Sequence, residues 1–138
     1  TPVTTFAGGT NWKQVSSGTE HIAAIKTDGT LWTWGAVQHG RLGINSTTSN
    51  RPTPVTTFAG GTNWKQVSCS QGPQGFTGAI KTDGTLWTWG SNSLTQLGDN
   101  TIVTRSTPVT TFAGRNNWKQ VTSSREQMAA ITYIDDYQ

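Results

Sequence analysis

Short runs rich in β-branched and aromatic residues, "TPVTTF", "WKQVS", "HIAAIKT" and "LWTWG", follow one another along this chain, each bounded by turn-forming residues. Such runs suit a pleated, half-buried surface and predict strands. Within "LWTWG" the alternation puts Trp32 and Trp34 on one face and Leu31 and Thr33 on the other, and a sheet packed on both sides buries both. "AGGTN" is expected to turn the chain between "TPVTTF" and "WKQVS". Asp28-Gly29 is expected to close a type I′ hairpin between "HIAAIKT" and "LWTWG", with positive φ at both central positions.

The pattern repeats. "TPVTTFAGGTNWKQVS" occupies 1–16 and returns unchanged at 53–68, and "TPVTTFAGRNNWKQVT" follows at 107–122, spacings of 52 and 54 residues. "TDGTLWTWG" stands at 27–35 and 82–90, whereas the third copy runs out as "AAITYIDDYQ". Four short strands in a period of about 50 residues is the length of a propeller blade. The expected fold class is all-β: four-stranded antiparallel blades of a β-propeller, a partial ring of two full repeats (1–52 and 53–106) plus most of a third (107–138). So short an arc cannot close a ring alone. Upstream blades or self-association are expected to complete it, and the edge beside Ala129 to Thr132 is expected to receive a strand from elsewhere.

Composition narrows the function. Charged residues make up 12% of the chain and hydrophobic residues 32%, while Thr fills 26 positions, so the polar surface is mostly hydroxyl and amide. The net charge of +3 comes from ten Lys and Arg against seven Asp and Glu, scattered singly. Nucleic-acid binding needs basic residues clustered on one face, so no nucleic-acid partner is expected. No run reaches the apolar length of a membrane span, and no membrane insertion is expected. Cys69 stands alone, without a Cys-Cys metal spacing, and reads as a small buried residue. His21 aligns with Phe76 and Gln127 in the sister copies and His39 with Leu94, so neither belongs to a repeated metal site; no metal or cofactor is expected. There is no Ser-His-Asp or Cys-His constellation and no phosphate-cradling loop, and the Asp135-Asp136 pair sits in the C-terminal tail. The chain is expected not to be an enzyme.

One stretch, "VSSGTEHIAAIKTDGTLWTWGAVQHGRLG", resembles the repeat of the regulator of chromosome condensation family. Gly18, His21, Ala24, Asp28, Gly29, Trp34, Gly35, Gly40, Leu42 and Gly43 fit its pattern, with Arg41 where Gln is usual. The second copy keeps Asp83, Gly84, Trp89, Gly90, Gln96, Leu97 and Gly98, but carries Phe76 at the His slot and Thr95 at the first loop Gly. The resemblance implies a propeller; the family's blades serve many partners, so it leaves the function open. The near-identical, Thr-rich, charge-poor repeats also resemble repeat proteins of bacteriophage and environmental microbes. That resemblance implies an extracellular or virion-surface setting, such as a fibre, spike or decoration protein.

All seven Trp occupy repeat slots. An identical slot in every blade is what packing between blades requires, so Trp34 and Trp89 are expected in the core. The competing reading is a sugar-stacking platform. Differences between copies concentrate in two segments per repeat: "SSGTEHI" becomes "SCSQGPQGFT" and then "TSSREQM", and "AVQHGRLGINSTTSNR" becomes "SNSLTQLGDNTIVTRS". Connections in an up-and-down meander alternate between the two ends of the strands, which puts both variable segments on one face and both constant turns on the other. Loops on a rigid scaffold commonly carry recognition, although exposed loops also drift without function. The expected contact residues are Glu20, His21, Gln38, His39, Arg41, Gln74, Phe76, Leu94 and Arg125. Exchanging the loops of the first repeat for those of the second should alter recognition and leave folding nearly intact. The function expected is a non-enzymatic recognition or structural module, for adhesion or virion structure, binding a protein or glycan receptor or another virion protein. A carbohydrate-binding propeller lectin is the first alternative. Nucleotide exchange on a small GTPase is the second, and it uses an acidic docking face where these loops hold few acids.

Overall fold

Ten strands and one 3-10 turn make up the regular elements of the computed structural model, which describes residues 1–134; the Asp135-Asp136 pair lies outside the described residues. Strands β1 (Trp12–Ser17), β2 (His21–Lys26), β3 (Leu31–Gly35) and β4 (Arg51–Thr56) form one antiparallel sheet in that order. A second sheet repeats it with β5 (Trp64–Cys69), β6 (Phe76–Lys81), β7 (Leu86–Gly90) and β8 (Arg105–Thr110), and β9 (Trp118–Ser123) pairs with β10 (Met128–Thr132). The 3-10 turn Gln38–Gly40 lies between β3 and β4. The all-β, four-stranded blades predicted from the repeat are therefore present, and β1 touches β5 as β5 touches β9, so the first strands line the inner side of the arc.

The blade is offset from the sequence period. "TPVTTF" at 53–58 contributes β4, which pairs with β3 through Trp32↔Thr56 and Thr33↔Val55. It does not pair with the "WKQVS" that follows. The hairpin expected at "AGGTN" is thus corrected: this segment carries the chain from the last strand of one blade to the first of the next. The reason is that β3 has a second edge whose backbone groups need partners, and "TPVTTF" is the next strand to arrive. The first copy of that segment, residues 1–6, pairs with no strand among the described residues and forms none itself. At the other end β10 pairs with β9 alone, and no described residue supplies the strand expected beside Ala129 to Thr132.

The Asp-Gly turns also differ from the expected type. Gly29 takes φ +82° and Asp28 keeps a negative φ, while Gly29 N donates to Lys26 O at 2.9 Å and Lys26 N to Thr30 O at 3.0 Å. This is a longer hairpin loop with one left-handed glycine in place of type I′. The Asp28 carboxylate accepts the Thr30 amide at 3.0 Å and its hydroxyl at 2.6 Å, and Thr30 Oγ1 accepts Trp32 Nε1 at 2.8 Å. Those bonds from Thr30 hold the Asp28 carboxyl below its ordinary range. A Cβ on Gly29 would lie 1.8 Å from Thr62 O, and one on Gly84 1.9 Å from Asn116 O, so the connector into the next blade rests directly on each turn. Trp64 N and Trp118 N close the contact by donating to Gly29 O and Gly84 O, each at 3.0 Å.

A register shift between Trp64 and Gln66 lets Trp64, Val67 and Cys69 share one face of β5. With Ala79 and Trp89 they bury Ala23, Ile25 and Leu31 of the preceding blade. The ring centroid of Trp64 lies 6.3 Å from that of Trp87 and 6.2 Å from that of Trp89, both in edge-on contacts, with Lys81 Nζ 4.4 Å from the Trp87 ring. The opposite face of the second blade presents Ile80 and Leu86 to Val121, Trp118 and Met128. Both faces of "LWTWG" are therefore used, the Trp pair toward the blade before and Leu and Thr toward the blade after. Trp89 is fully buried, whereas Trp34, in the same slot of the first blade, is half-buried because no sheet among the described residues covers it. The expectation that both are core residues holds for Trp89 and is corrected for Trp34.

Trp89→Ala is expected to cost about 3–5 kcal/mol by opening a cavity in the seam between blades. Trp34→Ala should cost less than half as much. Urea unfolding midpoints of the two variants compare them directly.

Candidate binding face

The antiparallel order of the strands puts the connections 18–20, 36–50, 70–75, 91–104 and 124–127 at one end of the arc and the segments 27–30, 57–63, 82–85 and 111–117 at the other. The segments that vary between copies thus share one face. On it the inner loops touch in sequence: Thr19 Oγ1 donates to Gln71 O, and Gln71 N donates to Ser124 O at 3.1 Å. Gly72 lies so close to Arg125 that a Cβ would meet Arg125 O at 2.4 Å. Gln71 and Gly72 belong to the variable segment 69–77 expected on this face but are not among the expected contact residues; the glycines of "QGPQG" permit this close approach.

The nine expected contact residues divide by depth. Glu20, Gln38, His39, Leu94 and Arg125 are exposed, and Gln74 is half-buried with its Oε1 accepting Ser91 Oγ at 2.9 Å. His21, Arg41 and Phe76 are buried, which corrects their assignment as contact groups. Arg41 fails as a surface group because its guanidinium is consumed inside the protein. Its Nε donates to Gln38 O at 2.9 Å, Nη1 to Glu20 Oε2 at 2.7 Å and Nη2 to Pro73 O at 3.1 Å. It therefore ties two loops of the first blade to one of the second, and Gly75 is the space it fills, since a Cβ there would meet Nε at 2.1 Å. The Arg41 carbonyl in turn accepts Trp89 Nε1 and Thr77 Oγ1, each at 2.9 Å. Exchanging this loop would break the tie between blades, so the expectation that loop exchange leaves folding nearly intact is also corrected.

His21 lies beneath this tie. Thr77 Oγ1 spends its proton on Arg41 O, so it accepts from His21 Nε2 at 2.9 Å, which makes Nε2 the protonated nitrogen and leaves Nδ1 without a partner. Burial, reinforced by the Arg41 charge, lowers the His21 pKa from 6.5 to about 4. Phe76 replaces it in the second blade and is wholly buried there, so the slot is a packing position. Thr95, at the slot of Gly40, takes the same left-handed backbone with φ 60°.

Beyond the predicted Leu94, the residues Ile102, Val103 and Phe112 leave large apolar surface exposed on the second blade. Ile102 and Phe112 line an open cavity of about 570 Å³ together with Thr95, Gly98, Asn100 and Thr101. Burial pushes the Cys69 thiol up to about 12, so it is a packing group. Among the described residues no three His, Cys, Asp or Glu side chains gather as metal ligands, and no helix is long and apolar enough to cross a membrane.

Comparison with known proteins adds the family context. The sequence profile of the "Regulator of chromosome condensation (RCC1) repeat" matches residues 28–72 and 83–131, and a second profile of the same repeat matches 12–41. The chain is 34% identical over 86 residues to the ultraviolet-B receptor UVR8 of Arabidopsis thaliana, covering 62% of this chain and 19% of the receptor. It is 29% identical over 99 residues to the regulator of chromosome condensation of Xenopus laevis, covering 70% of this chain and 22% of that protein. Its fold is similar to that of Prp20p from Saccharomyces cerevisiae, with a TM-score of 0.74 at 15% identity, over 91% of this chain and 32% of the yeast chain. Prp20p is described with binding to Gsp1p and histones, and has also been seen bound to Kap60. The chain therefore spans about a third or less of each of these three proteins.

Acid should loosen the seam above His21. The unfolded residue takes up a proton near pH 6.5 and the folded one near pH 4, so between these values the unfolded chain binds more protons and stability falls as pH falls. The expected loss is on the order of 3 kcal/mol, complete once pH has dropped through the folded value. His21→Phe, which copies the second blade, should remove this part of the pH dependence. Urea midpoints of both proteins at pH 7 and pH 4.5 measure it.

Proposed function

The chain belongs to the regulator of chromosome condensation (RCC1) repeat family, and from that premise we propose that it is a non-enzymatic recognition and structural module that binds a protein partner through its loop face. The observation that carries the proposal is the split in depth on that face. Glu20, Gln38, His39, Leu94 and Arg125 stand exposed, and all but Glu20, which Glu126 matches in the third copy, differ from their counterparts in the other copies. Beneath them Arg41, His21 and Phe76 hold the loops in place. Presenting unlike groups on a rigid floor lowers the ordering cost of binding. The other end of the strands is occupied with the contacts of Gly29 and Gly84 to the next connector, and its segments are nearly the same in each copy.

Both signs of charge beside apolar Leu94 suit a protein surface. A sugar platform between blades would need open Trp faces, and Trp64 and Trp89 are covered. Nucleotide exchange on a small GTPase would use an acidic docking face, and Glu20 is half engaged by Arg41. The finer reading is a fibre, spike or decoration protein at an extracellular or virion surface, of bacteriophage or environmental microbial origin, attaching to a host receptor or another virion protein. What supports it is the near-identity of the repeats and their Thr-rich, charge-poor strands.

Site-specific photo-crosslinking tests the assignment of the face. A photoreactive residue at His39, Leu94 or Arg125 should yield crosslinked protein adducts in extracts that contain the partner, and one at Asn11 or Arg115, at the opposite end, should yield none. Adducts formed only from the opposite end would overturn it.

A further inference from the structure

The fold gathers what the sequence scatters. Lys13, Lys65 and Lys119 are the second residues of β1, β5 and β9, Lys26 and Lys81 are the last residues of β2 and β6, and Arg115 lies in the connector 111–117. All six stand at the end of the strands opposite the variable loops. Six of the ten Lys and Arg thus share that end with two of the seven Asp and Glu, Asp28 and Asp83, whose carboxylates are already bonded to Thr30 and Thr85. Among the described residues no carboxylate forms an ion pair with any of the six; the pairs of Arg41 with Glu20 and Arg105 with Asp99 lie at the loop end. Lys65 and Lys119 converge on the Tyr133 ring, with Nζ 5.7 Å and 5.6 Å from its centroid. Lys26 and Lys81 lie over the half-buried rings of Trp32 and Trp87.

The same end carries three of the four phenylalanines. Phe58 and Phe112 lie in the connectors 57–63 and 111–117, and Phe6 holds the same slot of "TPVTTFAG" ahead of β1. Phe6, Phe58 and Phe112 are 88%, 65% and 73% exposed, whereas Phe76 is buried. Phe58 is the informative one, because both blades that flank it have all four strands and it is exposed nonetheless. Lys65 likewise lies on β5, with β1 packed on one side and β9 on the other, and is exposed. Their exposure is a property of the complete blade and does not depend on what precedes or follows the arc.

We propose that this end of the arc seats on an anionic phospholipid surface, with the ammonium groups at the charged headgroups and the phenylalanine rings at the boundary with the acyl chains. Two features select lipid. The display is nearly the same in every copy, so it suits a partner that is itself uniform, whereas a folded protein presents unlike groups in fixed places. A soluble polyphosphate would meet the lysines and leave the phenylalanines in water, while a lipid surface takes both, adding apolar burial to charge attraction. No membrane span is needed, since adsorption at the interface uses side chains alone. The inference is independent of what the loop face binds, and that face points away from the lipid.

Flotation of the full chain with vesicles tests it, because unbound or aggregated protein stays at the bottom of the gradient. The protein should float with vesicles of equal parts phosphatidylserine and phosphatidylcholine, should not float with phosphatidylcholine alone, and should be largely released from the anionic vesicles by high salt. Lys65→Gln with Lys119→Gln should weaken binding about five-fold per lysine, and Phe58→Ser on the order of ten-fold. All three side chains are exposed, so the melting curves should stay close to that of the unaltered protein. Salt release and Phe112→Ser read the same contacts should a variant fail to fold. His39→Ala with Arg125→Ala, at the loop end, should bind as the unaltered protein does. Failure to float with anionic vesicles, equal flotation with neutral ones, full binding by Phe58→Ser, or retention of a single-stranded oligonucleotide in place of the vesicles would each overturn the inference.

Discussion

The structure depends on one requirement: the tryptophan-and-valine face of each blade must be covered by the small-residue face of the blade before it. A chain with few aliphatic residues has little else to bury, and the seam concentrates Trp64, Val67 and Trp89 against Ala23, Ile25 and Leu31. Burial of this kind has no direction of its own. Direction comes from the glutamine amide, which meets both backbone groups of a valine in the first seam and so fixes how far one blade can slide along the next. The glycine turns add the second fixed point at the far end of the strands, where Gly29 and Gly84 admit the next connector.

This seam also shapes the loop face. Arg41 is buried because Trp89 and Thr77 of the second blade take its carbonyl while Pro73 takes its guanidinium. The residue that looks most like a contact group in the sequence is in fact a tie between blades. What remains for recognition are the exposed groups around it, held on loops that touch each other in order along the inner side of the arc. Rigidity below and variety above follow from the same contacts.

Much of this was legible in the sequence, and the misses share a cause. The strands, the four-stranded blade and the placement of variable loops on one face all rest on period and parity, which survive any choice of starting point. The pairing of "TPVTTF" did not follow from period, because a repeat has no inherent beginning. Only the open edge of β3 decides that the segment completes the blade before it. Likewise "TDGT" announced a hairpin but not its type, which has Gly29 and not Asp28 at positive φ, with the next connector resting on that glycine.

The sequence by itself therefore determined the all-β class, the blade length, the family, the end of the strands from which the variable loops leave, and the Trp slots that must pack between sheets. These properties are local or periodic, and local stereochemistry and alternation are enough to specify them. Tertiary structure alone decided which members of equivalent slots are buried. Trp34 and Trp89 have the same neighbours in sequence, as do Val15 and Val67, yet differ in exposure because only the second of each pair has a blade packed on it. His21 and Arg41 read as surface groups until strands more than 30 residues away close over them. Burial is a property of the assembled neighbours, and a repeated sequence cannot state which of its copies will have them.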